Sequence, residues 1–494
     1  MAEKLIISIS GLRGVVGENL TASIATEYGC AFGTFLKDLS ARRLEDKHAP
    51  QEPARRLAGL SVCPVRGTKI SNGVCIGRDS RPSGEMLKSA VAAGLCSIGI
   101  DVIDLGIVST PGVSIMVRHL GCVGGVVITA SHNPVQYNGI KLLLDNGVAP
   151  PSDIAGQVKQ FFFDKHFVFV EPGRNGKVTF NDQTDAVHIA RVLAIVDRKT
   201  IAAKKFKVVL DSVNGAGGRV VKKMLAELGC EVLAINDEPT GLFAHPPEPL
   251  AENLKDLCEV VKAKTADLGF GLDPDADRLA IVDENGTYIG EEYTLALAAK
   301  YVFSKKPGSP SPLSCESKKG GRAATNLSTS RMIDDIAQKA GGQVIRTAVG
   351  EANVAAAMLE HNCIIGGEGN GGVIDLRVSP VRDSLVGMAF VLQLMAETGK
   401  TVSQLVSDIG GYYMIKDKFA VEQSQVQQIL ESAKNEFAYA LVSNIDGYRF
   451  AFQDGWLHIR ASNTEPIVRV IVEAKDQPTA QEYIKIIQTK ALIH

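Results

Sequence analysis

Three stretches of the chain repeat one order of apolar and polar positions: a short apolar run, a polar loop, a run with helical spacing, a glycine and a second apolar run. The first copy goes from Val74 through 85–98 to Val102-Ile103-Asp104, and the second from Val208-Val209-Leu210 through 220–228 to Val232-Leu233-Ala234. The third takes 323–327, then 332–340, then Val344-Ile345-Arg346. This alternation predicts strand–helix–strand units, which build parallel sheets with helices on both faces and place loops at the strands' carboxyl ends. The C-terminal part differs. A helical pattern at 426–437, two strand-like runs and a closing helical pattern at 479–488 predict a smaller α+β unit.

The expected architecture is therefore three similar doubly wound α/β domains plus a smaller C-terminal α+β domain around a central cleft. Boundaries are expected at 1–175, 176–285, 286–410 and 411–494. Two stretches read as insertions. The first, 42–69, contains Arg42, Arg43, Arg55, Arg56 and Arg66 with scattered prolines; the second, 304–321, is rich in Ser, Pro and Lys. Solvated, partly disordered loops are expected there ahead of docking segments.

Composition narrows the class. A chain of 494 residues with 45% apolar and 22% charged residues is an ordinary globular protein. A formal net charge of −2 gives no electrostatic case for nucleic acid or an anionic membrane. The apolar stretch near Met1 is too short for a signal peptide, and no run approaches the roughly 20 residues of a membrane-spanning helix. Nine cysteines, never in a C-x-x-C pair and mostly in apolar context (Cys75, Cys96, Cys122, Cys363), read as reduced thiols of a cytoplasmic protein.

Four loops carry candidate chemistry. Thr129-Ala130-Ser131-His132-Asn133-Pro134 follows a strand-like run, so Ser131 stands on a turn at the end of a rigid element. That placement suits a reacting hydroxyl, although taken alone the six residues suit a polar turn as well. Asp273-Pro274-Asp275-Ala276-Asp277-Arg278 sets three carboxylates at alternate positions. Like charges so crowded call for a cation, and all-oxygen ligands point to Mg²⁺ before Ca²⁺ or Mn²⁺. An EF-hand is excluded, because Arg278 stands where that loop needs glycine and the flanks are strand-like. A solvated acidic turn is the plainer alternative.

Between two strand-like runs, Arg460-Ala461-Ser462-Asn463-Thr464 offers a guanidinium fork, hydroxyls, an amide and backbone N–H groups, a donor set for a phosphate dianion or a polar hairpin. Gly366-Gly367-Glu368-Gly369-Asn370-Gly371-Gly372 lets backbone approach a ligand closely, while Glu368 and Asn370 suit sugar hydroxyls. It fits neither the P-loop nor the dinucleotide-binding spacing. A flexible hinge would use the same glycines.

In this order and spacing the four loops resemble the α-D-phosphohexomutase superfamily, which includes phosphoglucomutase, phosphomannomutase and phosphoglucosamine mutase. The resemblance runs from Ser10-Gly11-Leu12-Arg13-Gly14 to the Arg460 loop. It takes in Gly77-Arg78-Asp79-Ser80-Arg81, Tyr137-Asn138-Gly139-Ile140-Lys141 and His245-Pro246-Pro247-Glu248-Pro249. It implies an isomerase in which Ser131 is the phosphoserine, and in which Asp273, Asp275, Asp277 and a phosphoserine oxygen bind Mg²⁺. A hexose 6-phosphate would pass through a bound hexose 1,6-bisphosphate to hexose 1-phosphate. Arg13, His132, Lys141 and Arg278 match basic positions around the reacting phosphate, with Lys141 or His132 assisting proton transfer. Glu368 and Asn370 would grip the sugar, and Arg460, Ser462, Asn463 and Thr464 the phosphate that is not reacting. A monomer or homodimer is expected.

One position departs from the pattern. Many bacterial relatives carry His where this chain has Gly372, and the Glu-Gly-Asn-Gly-Gly form resembles the archaeal-type branch, in which phosphoglucosamine mutase is a common assignment. Loss of that histidine removes bulk and a possible positive charge, which is expected to favour glucosamine phosphate over mannose and glucose phosphates. A sugar-phosphate phosphatase and a non-catalytic sugar-phosphate sensor are the competing classes. Retention of Ser131 and all three aspartates argues against the sensor, and two-sided sugar recognition argues against the phosphatase.

Overall fold

The computed structural model describes residues 5–8, 11–45, 71–305, 320–422, 424–461 and 467–490. The first sheet contains β1 (Ile6–Ser8), β2 (Gly11–Val15), β3 (Ser71–Arg78), β4 (Asp101–Ile107), β5 (Cys122–Ile128), β6 (Tyr137–Leu144) and β7 (Val178–Phe180), in the order β1-β2-β6-β5-β3-β4-β7. The second holds β8 (Lys207–Asp211), β9 (Glu231–Ile235), β10 (Leu268–Leu272) and β11 (Leu279–Val282), ordered β11-β10-β8-β9. The third holds β12 (Arg322–Asn326), β13 (Gln343–Thr347), β14 (Ile365–Glu368) and β15 (Gly372–Ile374), ordered β13-β12-β14-β15.

The three repeats read from the sequence are the parallel pairs β3/β4, β8/β9 and β12/β13, crossed by helices Gly84–Ser97, Gly217–Glu227 and Met332–Lys339. Each sheet then adds a third parallel strand and a return strand. β5, β10 and β14 run parallel to the first strand of their repeat, whereas β6, β11 and β15 come back antiparallel. The sheets are thus mixed rather than wholly parallel. The returns are too short for a parallel crossover, which needs a dozen residues or more. As a result the serine turn, the metal loop and the glycine-rich loop occupy the same hairpin position in three successive sheets.

The fourth unit is the antiparallel sheet of β16 (Tyr413–Ala420), β17 (Leu441–Ser443), β18 (Tyr448–Ala451), β19 (Gly455–Ala461) and β20 (Ile467–Ala474), ordered β16-β20-β19-β18-β17. Helices Val426–Glu436 and Gln477–Lys490 complete its core.

Packing joins what the sequence separates. Helix Ser384–Thr398 is buried from Ser384 through Ala396, as an all-round apolar helix must be. It sits in one continuous apolar cluster that includes Leu210 and Phe270 of the second sheet and Ala323 and Ile365 of the third. Truncating Phe390, wholly buried there, to Ala would cost roughly 3–5 kcal/mol. Strand β7 pairs with β4, so the first sheet reaches past the boundary expected at residue 175. Of the expected insertions, Arg42 lies on helix Ala22–Glu45 and pairs with Asp38; residues 46–70 and 306–319 lie outside the described residues. Among the described residues the cysteines are free, with the buried thiols of Cys75 and Cys122 3.5 Å apart, and no helix is long and apolar enough to cross a membrane.

Candidate active site

Ser131 takes a left-handed backbone conformation, φ 51°, which costs a non-glycine residue on the order of 1 kcal/mol and persists only where its surroundings fix it. They do. The Ser131 N–H donates to Thr129 Oγ1 at 2.9 Å, and the wholly buried Arg81 donates to the carbonyls of Ser131 at 2.7 Å and Asn133 at 2.5 Å. Arg81 is in turn paired with Asp79 and lies over the Phe243 ring. The turn thereby aims Ser131 Oγ at the metal loop, where it donates to Asp273 Oδ2 at 3.0 Å. His132 Nδ1 is 3.3 Å away.

Asp273, Asp275 and Asp277 are buried and offer oxygens within 4.8 Å of one another. Asp273 Oδ1 accepts from the backbone N–H groups of Asp277 and Arg278, which closes the loop. Asp275 Oδ2 accepts from Thr110 Oγ1 at 2.6 Å and Lys141 Nζ at 2.8 Å. The other oxygens, Asp275 Oδ1 and Asp277 Oδ1, are buried without a hydrogen-bond partner. Two such acceptors facing a carboxylate cluster fit a hard divalent cation such as Mg²⁺.

The electrostatics agree. Burial and the charges of Asp277 and Asp275 push the Asp273 carboxyl well above its ordinary range. Burial acts the same way on Asp275, but the Lys141 charge and the hydrogen bonds from Lys141 and Thr110 outweigh it and hold that group low. Burial also works against the Lys141 ammonium; Asp275 and Asp277 overcome it and keep Lys141 charged. His132 is pushed down to about 2 by burial and by the neighbouring Arg278 and Arg13, so it is a neutral imidazole. Arg13 reaches Asn133 Oδ1 at 3.2 Å, and Arg278 reaches Glu248 at 3.3 Å.

The glycine-rich loop, expected to bind sugar, is the β14–β15 hairpin, with Glu368 opposite Gly372. Glu368 Oε1 accepts from Asn326 Nδ2 and Gly350 N–H, while Oε2 accepts from Arg382 at 2.7 Å. Asn370 Oδ1 is buried and unpartnered, a free acceptor beside this carboxylate. Lys416 of β16 ties the fourth unit to the same hairpin, 2.6 Å from Glu291, 3.0 Å from Glu292 and 3.4 Å from the Gly369 carbonyl. Arg460 stands opposite Arg469 on β19 and β20. Its Nε is buried without a partner, and burial lowers its pKa. Ser462, Asn463 and Thr464 lie outside the described residues.

The structure thus gathers Ser131, His132, Lys141 and the three aspartates directly, with Arg13 and Arg278 beside them. It joins Glu368 to Asp277 through an arginine that the sequence did not single out. Thr110, Arg81 and Arg382 were all missed as site residues. Asp79 and Arg81 lay inside a recognised signature without an assigned role, whereas nothing local marked Thr110 or Arg382.

Four successive domain models of one family match the chain: phosphoglucomutase/phosphomannomutase α/β/α domains I, II and III at residues 52–168, 186–286 and 291–412, and the C-terminal domain at 416–489. The chain belongs to the phosphoglucomutase/phosphomannomutase family, within the α-D-phosphohexomutase superfamily. Among the relatives of this family member, a phosphoglucomutase/phosphomannomutase of Thermococcus kodakarensis is 38% identical over 96% of both chains. A probable phosphoglucosamine mutase of Methanopyrus kandleri is 34% identical over 96% of this chain and 94% of its own. A family crystal structure from Burkholderia thailandensis superposes with a TM-score of 0.79 at 26% identity, covering 98% of this chain and 96% of that one. The family's three α/β/α domains and C-terminal domain correspond to the three mixed sheets and the antiparallel one.

Proposed function

We propose that this protein interconverts hexose 6-phosphate and hexose 1-phosphate, with Ser131 giving and taking the phosphoryl group. The observation that carries the reading is the 3.0 Å contact of Ser131 Oγ with Asp273, on the rim of a carboxylate cluster joined through one arginine to the sugar hairpin. The phosphoryl group leaves Ser131 Oγ for O1 of a hexose 6-phosphate, giving a bound 1,6-bisphosphate. After the bisphosphate turns over, Ser131 Oγ attacks the phosphorus on O6, and hexose 1-phosphate leaves.

The proton lost from O1 returns to Ser131 Oγ in the first half and passes to O6 in the second. His132 Nδ1, 3.3 Å from Ser131 Oγ, is a group within reach of that proton, and Lys141, kept charged by Asp275 and Asp277, serves to stabilise negative charge. Ser131, Asp273, Asp275 and Asp277 would hold Mg²⁺, which when bound offsets charge on the phosphoryl oxygens. Arg460, with Ser462, Asn463 and Thr464, would grip the second phosphate. Free cysteines and a sugar-phosphate substrate suit the cytoplasm.

Glucosamine 6-phosphate is the proposed substrate, supported by the name of the Methanopyrus kandleri relative. The reason offered from Gly372 needs correction: the space above it is filled by the Arg382 side chain. Nor is a positive charge missing there: Arg382 places a guanidinium beside Gly372, paired with Asp277, Glu351 and Glu368, so the amino sugar is supported by the relative's name and not by charge at this position. The Thermococcus kodakarensis relative's name supports mannose and glucose phosphates as the second reading.

Turnover on the three hexose 6-phosphates, with isomer formation and inorganic phosphate followed in parallel, tests both levels. Isomer without phosphate release is expected. Phosphate release alone would make the protein a phosphatase, and a higher kcat/KM on mannose or glucose 6-phosphate would change only the sugar.

A further inference from the structure

Arg382 precedes the buried helix Ser384–Thr398 and projects between the metal loop and the sugar hairpin. Its side chain is 11% exposed and meets three carboxylates: Asp277 Oδ2 at 2.7 Å, Glu368 Oε2 at 2.7 Å and Glu351 Oε2 at 2.9 Å. The bonds fall on the oxygens that the two loops can spare. Asp277 keeps Oδ1 buried and unpartnered for a cation, and Asn370, whose amide donates to the same Glu368 Oε2 at 3.5 Å, keeps its own Oδ1 unpartnered.

The root of the arginine is equally fixed. Its N–H donates to Glu351 Oε2 at 3.1 Å. The next residue, Asp383, donates its N–H to Val373 O, caps the helix at Leu385 and pairs with His188 at 2.7 Å.

This arginine also explains Gly372. A Cβ on residue 372 would lie 2.1 Å from Arg382 Cδ and 2.7 Å from Cγ. A free surface arginine would swing aside, but this one is hydrogen-bonded at its terminal nitrogens to Glu368 and Asp277 and ion-paired at Nε with Glu351. The glycine and the arginine are therefore a matched pair, with the arginine stem lying where a larger residue at 372 would project.

We propose that Arg382 is a positioning residue that couples the metal loop to the sugar loop, orienting Asp277 for the cation and Glu368 for the sugar through one guanidinium. This rests on the assignment of those two residues under the proposed function. Partners that orient metal ligands typically change metal affinity or activity by about 10–100-fold when removed. A planar fork cannot be replaced by a lysine's single ammonium at a site that bonds in two directions.

The test measures two quantities on each variant: Mg²⁺ affinity by titration calorimetry without sugar, and KM for glucosamine 6-phosphate. Arg382→Lys is expected to weaken both by about 10-fold or more, whereas Asn370→Ala should raise KM alone. Gly372→Ala should reproduce the double loss, and adding it to Arg382→Ala should cost little more, because the collision has then been removed. A change in only one quantity for Arg382→Lys, or wild-type values for Gly372→Ala, overturns the coupling. Should Arg382 variants fail to melt cooperatively, Gly372→Ala decides alone. A wild type that binds Mg²⁺ but isomerises no hexose phosphate defeats the proposed function instead; equilibrium binding of glucosamine 6-phosphate then replaces KM, with the same two outcomes.

Discussion

Arg81 donates a hydrogen bond to the Ser131 carbonyl across 2.7 Å, from a side chain with no exposed surface. The bond joins residues 50 apart in sequence and holds Ser131 in a backbone conformation it would otherwise leave. Removing the cation would strand the buried Asp79 carboxylate, whose own pKa burial already raises. Arg81→Ala should therefore lose roughly 3–5 kcal/mol of stability, read by urea unfolding. Arg81→Lys should retain more stability yet still slow turnover, because one ammonium cannot hold two carbonyls and a carboxylate in fixed directions. Full activity in the lysine variant would show that the turn does not need the fork.

Ser131→Ala should abolish turnover and leave the thermal transition near that of the wild type, since Thr129, Arg81 and Asp79 fix the turn through backbone groups and not through the serine hydroxyl. Intact-mass measurement of active wild-type protein should find one added phosphate, absent from the variant. Near-normal isomerisation by the alanine form would remove Ser131 as phosphoryl carrier.

Chelation should stop turnover and Mg²⁺ should restore it. The buried carboxylates that now repel one another should also make Mg²⁺ a stabiliser: a ligand that binds only the folded state adds about 2.7 kcal/mol at 100 times its dissociation constant. Asp275→Asn should weaken that effect while retaining the fold. A melting temperature indifferent to Mg²⁺, together with undiminished activity in chelator, would assign the cluster another purpose.

Much of this arrangement was legible in the sequence, because glycine and polar punctuation set off three strand–helix–strand repeats and four loops. The common hairpin position of the first three loops was less visible, since the strands that return, such as Gly372–Ile374, are short. Strand β7, Val-Thr-Phe, is exposed and only three residues long, too short a pattern to attach it to the first sheet. Arg382 and Asp277 meet across 105 residues, and Thr110 and Asp275 across 165. Such contacts arise from packing between domains, for which no local pattern exists. The charge read as missing at Gly372 was supplied from elsewhere in the fold, by Arg382.

His458 links the fourth unit to the third sheet. Its Nε2–H donates to the Asp446 carbonyl at 2.7 Å, and its Nδ1 accepts from the Ser328 hydroxyl at 2.8 Å. Burial lowers its pKa to about 4, beneath the ordinary 6.5 or so of an unfolded chain. Between those values the unfolded state binds the proton more readily, so stability falls as pH drops through this window, by on the order of 3 kcal/mol in total. Urea unfolding between pH 7 and pH 4 should show that loss, and His458→Gln should flatten it. An unchanged slope in the variant would place the sensitivity in other groups.

Arg460 faces Arg469 across the β19–β20 ladder, and their mutual repulsion is one cause of the lowered Arg460 pKa, after burial. Two guanidinium groups in register on one face, with Arg460 Nε buried and unpartnered, form a place that an incoming dianion would relieve. Lys at 460 would keep the charge but bond in one direction only, so KM for hexose 6-phosphate should rise about 10-fold, the loss of roughly one charge-assisted hydrogen bond. Magnesium affinity should stay unchanged, since Arg460 contacts none of the aspartates. The same grip would hold the bisphosphate while it turns over. A weakened grip should therefore release it, seen as hexose 1,6-bisphosphate in solution and as activity that decays unless bisphosphate is supplied. An unchanged KM with no escaping bisphosphate would reduce Arg460 to a structural residue of the hairpin.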